Sequence, residues 1–104
     1  MIKLTNIREA YWSSIGYDPL YDEYVMVVPI VAGNYKWEVF YKVPKEYYDM
    51  ASPDCEFLKK LSDSIFTGNA WELANYELAF LGSTADNGRI KDPERWNDPR
   101  YDTL

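Results

Sequence analysis

Two short stretches of the chain combine carboxylates with phenol rings. Asp18, Tyr21, Asp22, Glu23 and Tyr24 form the first; Glu46, Tyr47, Tyr48 and Asp49 form the second. A carboxylate pairs with an ammonium or guanidinium group, and a tyrosine ring accepts the same cation on its face. Each stretch therefore carries the chemistry of lysine and arginine recognition. The competing reading is structural: two ordinary connecting segments whose tyrosines pack inward. The two readings weigh about equally, because binding residues so often sit on loops.

Catalytic chemistry finds little to work with. The chain has no histidine and a single cysteine, Cys55. That excludes a Ser-His-Asp or Cys-His nucleophile pair and an imidazole base, and it removes the commonest zinc ligand. One cysteine makes no internal disulfide, so no oxidising compartment is implied. No phosphate-binding glycine loop is present, and Asp86-Asn87-Gly88 lacks the rest of a calcium loop. Hydrolysis by a carboxylate pair stays open in principle, but no pair stands out, and so small a domain has little room for a substrate cleft. The expectation is a protein that is not an enzyme, with no metal and no cofactor.

The elements that position these residues follow from patterning. The chain, 104 residues long and 47% apolar, is read as one domain, 1–104. Thr5 caps an expected helix over about 6–15, with Ile7, Ala10, Tyr11 and Ile15 on one face and Gly16 at its end. A short strand at 2–4 precedes it. Residues 23–32 read as a valine-rich strand with two apolar faces, which calls for cover on both sides. Pro29 has no N–H to donate, so it marks an edge position or a bulge. Gly33-Asn34 fits a tight hairpin turn. Residues 35–43 then alternate, with Trp37, Val39, Tyr41 and Val43 on one face, and Lys36, Glu38 and Lys42 with Phe40 on the other.

Ser52-Pro53-Asp54 has the make-up of a helix start. Cys55, Leu58, Leu61 and Ile65 form the inner face of that helix, which ends at Gly68. Asn69 with Glu72 resembles a capping box for a further helix over about 70–81. These two helices are expected to pack antiparallel. Residues 83–104 read as a loop-like tail, pinned to the domain by Trp96 and Tyr101. The expected fold class is therefore α+β: an N-terminal helix, an antiparallel hairpin in a sheet of two or three strands, two antiparallel C-terminal helices and an irregular tail. The third strand would come from Ile2, from 89–91 or from a partner.

Formal net charge is -6 and the pI is about 4.5. Such a chain is repelled by nucleic-acid phosphates and anionic lipid and is attracted to basic surfaces. Residues 1–45 are balanced at five acids and five bases, whereas 46–85 hold seven acids and two bases. Much of the helical charge, such as Glu56, Lys59, Lys60 and Asp63, sits at self-pairing spacings of three and four. The longest apolar run, 25–32, is too short to span a bilayer, and 1–7 carries no signal-peptide pattern. A cytoplasmic location is expected, without nucleic acid or membrane as partner.

Ten tyrosines and four tryptophans are many for so short a chain. In its size, acidity and richness in Tyr and Trp, the chain resembles bacterial immunity proteins, the small inhibitors that protect cells from their own colicins or contact-dependent-inhibition toxins. The resemblance implies a cytoplasmic protein that binds a basic toxin nuclease domain tightly and blocks it. From the residues themselves the expectation is a monomer or weak dimer that binds a basic protein. The alternative is a non-catalytic subunit or adaptor of a stable assembly, for instance a homodimer paired through the strand that carries Pro29.

Overall fold

A computed structural model describes residues 1–104. Its centre is a five-stranded antiparallel meander in the order β1-β2-β3-β4-β5. The strands are β1 (Thr5–Ala10), β2 (Ser13–Asp18), β3 (Glu23–Ala32), β4 (Tyr35–Val43) and β5 (Ala79–Ser83). Between β4 and β5 lie α1 (Lys45–Asp49), α2 (Glu56–Thr67) and α3 (Ala70–Leu73). After β5 come α4 (Pro93–Trp96) and a closing 3₁₀ helix, Pro99–Thr103. No helix is long and apolar enough to cross a membrane.

The expected fold class is corrected in three places. Residues 6–15 do not form a helix: they fold into the β1–β2 hairpin, closed by the pair Ala10 and Ser13. Their apolar spacing is that of a helix, and the pairing of β2 with β3 overrides it. Gly16 ends no helix. It lies within β2, where a Cβ would sit 2.7 Å from Leu4 Cβ, so its missing side chain lets the N-terminal segment pass close over the strand. The helix over 70–81 stops at Leu73, although Asn69 does cap it by accepting from Trp71 N–H (3.1 Å) and Glu72 N–H (3.2 Å). Residues 79–83 instead supply the fifth strand on the outer edge of β4, where their backbone groups join the ladder. The sheet thus has five strands, not two or three, and its additional strands are β1, β2 and β5. Ile90 contributes only an isolated bridge to Gly82, and Ile2 packs into the core. The tail, for its part, carries two short helical elements rather than running irregular throughout.

The sheet is covered on both faces. Met26, Val28 and Ile30 of β3 point to one side, where they meet Leu58, Leu61 and Ile65 of α2 and Tyr47 of α1. Val25 and Val27 point to the other side, where Phe40, Leu81, Trp96 and Tyr101 cover them. Leu58 and Leu61 are fully buried, each contributing about 1.5–3 kcal/mol relative to exposure. Trp96 lies close against Gly82, where any Cβ would stand 2.6 Å from its ring, and meets Phe40 edge-on at 5.1 Å. The short tail is therefore a third layer. The turn at Gly33–Asn34 joins β3 to β4 through the pair Ala32 and Tyr35, with Gly33 at φ 61. Gly68 ends α2 at φ 70. That helix begins only at Glu56, after Cys55, and Ser52-Pro53-Asp54 forms the turn that precedes it.

Candidate functional site

The structure brings the two acid–tyrosine stretches to one end of the sheet. Tyr24 pairs with Val43 across β3 and β4, and its ring lies 4.7 Å from that of Tyr48. Most of their binding capacity is engaged within the molecule. Asp18 is fully buried: it accepts from Leu20 N–H and Tyr21 N–H, from Arg95 Nη2 at 2.8 Å and from the Tyr101 hydroxyl. Glu23 accepts from Arg95 Nη1 at 2.6 Å and pairs with Lys42. The Tyr21 ring lies under the Arg95 guanidinium at 4.5 Å, and its hydroxyl donates to Asp98. This is the carboxylate–ring–cation arrangement expected of the first stretch, but the cation is the chain's own. Arg95 Nε finds no acceptor there.

The second stretch is divided. Tyr47 is buried and its hydroxyl accepts from Glu77 N–H at 3.0 Å. The Tyr48 hydroxyl donates to the Asn6 carbonyl at 2.6 Å, and Arg8 lies over its ring at 5.2 Å. Asp49 pairs with Lys45, and Asp22 accepts from the Tyr17 hydroxyl. Among the carboxylates of the two stretches, Glu46 alone is exposed without an ion pair or side-chain hydrogen bond. Apart from Glu46, these residues form a pinned corner in which loop, strand and tail are tied together.

That corner has a pH signature. Burial, reinforced by the hydrogen bond to Asp18, raises Tyr101 above its ordinary value of 10.0. Burial and Asp98 likewise raise Tyr21. For a phenol raised in the folded state, the unfolded chain loses its proton first. The stability it lends is complete below pH 10 and declines as pH rises from there towards the folded-state value. Urea midpoints measured across this range should hold level up to about pH 9.5 and fall above it. A Tyr101→Phe variant should show a shallower fall.

The other end of the sheet is built differently. The helix expected over 6–15 would contain Trp12; it stands instead at the tip of the β1–β2 hairpin, 71% exposed, with φ 49. Positive φ is uncommon for any residue with a Cβ and rare for a bulky one. Such conformations persist only where the surroundings enforce them. Beside Trp12, β3 runs on past the end of β2: Ser14 pairs with Val27, and residues 28–32 pair only with β4. Glu38, opposite Pro29, turns its own N–H and C=O away to Thr84 (2.8 and 2.9 Å). Pro29 and Val31 therefore direct their backbone groups to the side that β2 has vacated. Pro29 has no N–H to lose there, which is why a proline is tolerated in a strand that is central elsewhere.

Two hollows flank this open edge. One, of about 490 Å³, lies towards α2 and is lined by Trp12, Val28, Val31, Asp63 and Phe66 among others. The other, of about 360 Å³, lies towards the tail face and includes Glu9, Ser14, Val27 and Glu38. Val31 and Phe66 are about half exposed. Of these features only Pro29 left a trace in the sequence, as an edge marker. Comparison with protein-family models, with curated proteins and with solved structures returns no match for this chain.

Proposed function

We propose that the protein is a small binding inhibitor that neutralises a basic partner protein, such as a toxin nuclease domain, by covering its surface. The observation that carries this reading is the negative charge left after internal pairing. Of seventeen acidic side chains, only Asp18, Glu23, Asp49 and Asp98 take part in ion pairs. The resulting field draws in a cationic protein and speeds the encounter. Exposed aromatics supply anchors for the docked state: Trp12 at 71%, Tyr35 at 76% and Trp71 at 89% exposure. The resemblance to immunity proteins supports the same reading and implies an encounter in the cytoplasm.

The test is calorimetric titration against each basic toxin or nuclease domain found in the same genetic neighbourhood. It should be run at about 0.01 M and about 0.15 M ionic strength, where the Debye length falls from ~30 to ~8 Å. Association should occur at both and weaken at least tenfold at the higher salt, roughly the lower end of the effect of electrostatic steering. Absence of binding, or an affinity indifferent to salt, overturns the proposal. The open edge of β3 favours a second reading, a subunit of a stable assembly paired through that strand. Light scattering that finds only monomer at micromolar concentration removes its homodimeric form.

A further inference from the structure

We infer that the docking surface is the Trp12 end of the sheet, and that its occupant is an extended basic segment of the partner which adds a strand to the free edge of β3. This rests on the reading of the protein as a binder of basic partners, and it says where and in what form that partner binds.

The edge supplies the backbone part of the recognition. Where β2 ends, Val31 keeps an N–H and a C=O, and Pro29 keeps a C=O, on the vacated side. A strand laid there prolongs the line of β2 beyond the Tyr11–Trp12 turn and satisfies all three groups. The proline limits the choice of register, because it offers a guest strand an acceptor but no donor.

The hollows supply the side-chain part. Successive side chains of a strand point to opposite faces. One set enters the hollow beside Phe66 and Val31, whose walls are largely apolar. The other set lies over Glu9 and Glu38 on the tail side. The walls of the two hollows hold three carboxylates, Glu9, Glu38 and Asp63, and not one lysine or arginine. None of the three takes part in an ion pair. Lys36 lies across the ladder from Val31 but lines neither hollow. The complementary guest is a segment in which apolar residues alternate with lysine or arginine. A second copy of this chain fits less well, because it brings the same three carboxylates to the same edge and adds a net charge of -6 to an equal one.

The experiment uses the full chain labelled with nitrogen-15 and a capped peptide of alternating lysine and valine, with the glutamate–valine counterpart as control. The lysine peptide should shift the Trp12 indole N–H and the Val31 amide, and slow exchange of the Val31 amide about tenfold. The control should leave both in place. Neutralising the carboxylates together (Glu9→Gln, Glu38→Gln, Asp63→Asn), all on exposed side chains, should weaken the peptide about tenfold, as the loss of three exposed ion pairs implies. Equal shifts from both peptides overturn the proposal. So do shifts confined to the corner around Asp22, Glu46 and Asp49. Silence towards the lysine peptide, while the basic domain itself binds, refutes this surface and leaves the proposed function standing. Silence towards both refutes the two together. Val31 protection that grows with protein concentration alone assigns the edge to a second copy instead.

Discussion

Replacing Arg95 with alanine should destabilise the fold by about 3–5 kcal/mol, the cost of leaving a buried charge without its partner. Arg95 is 5% exposed and Asp18 is fully buried. One fork of the guanidinium holds Asp18 and the other holds Glu23. Removing it leaves the Asp18 carboxylate with Tyr101 as its only remaining side-chain donor. Domains of this size have about 5–15 kcal/mol of stability in all, so the variant stands close to unfolding. Its Tm should fall by roughly 15–30 °C.

Arg95→Lys should fall between wild type and alanine, because a point charge cannot reproduce two diverging hydrogen bonds. The double variant Asp18→Leu with Arg95→Met should be milder than Arg95→Ala, since a well-packed apolar pair of similar volume commonly replaces a buried ion pair without loss. Urea denaturation of the set checks both orderings. A loss of under about 1 kcal/mol in Arg95→Ala would show that the tail is held chiefly by Trp96 and Tyr101, not by the ion pair.

The same network marks a limit of what the sequence makes legible. The union of carboxylates with tyrosines around residues 18–24 is visible in one dimension, and so is the kind of cation that suits it. That the cation is Arg95, 77 residues further on, is visible only once the tail has folded back over the sheet. The β3–β4 hairpin shows more plainly, because strict alternation from Trp37 to Val43 and the Gly33–Asn34 turn are local signals. Gly68 at the end of α2 is another of these. The β1–β2 hairpin does not show. Its turn is Tyr11–Trp12, which has none of the residues that announce a turn, and the spacing of Ile7, Ala10, Tyr11 and Ile15 imitates a helix. β5 is hidden for a similar reason: only its pairing with β4 makes 79–83 a strand. The open edge exists because β2 is shorter than β3, a relation between two elements that no single stretch carries.

Trp12 is where these lines meet. A bulky residue in the left-handed region costs about 1–2 kcal/mol, and a side chain 71% exposed recovers little of that by burial. Its ring makes an edge-on contact with Tyr11 at 6.1 Å and otherwise stands over the two hollows. Glycine accepts φ 49 without strain but adds freedom to the unfolded chain worth about 0.5–1 kcal/mol. Trp12→Gly should therefore leave stability unchanged or raise it by up to about 1.5 kcal/mol. A residue retained for packing gives the opposite sign. If Trp12 is instead the central anchor of a docking surface, its removal costs at least about 2 kcal/mol of binding, roughly 30-fold in Kd.

The decisive measurement is the Kd of a basic domain that the wild type binds, taken for wild type and for Trp12→Gly at the same low ionic strength, with urea midpoints showing both proteins equally folded. A cationic partner docked at the Trp12 end predicts a Kd raised at least about 30-fold in the variant, with no loss of stability. A Kd within about twofold of wild type, in a protein equally stable, contradicts it.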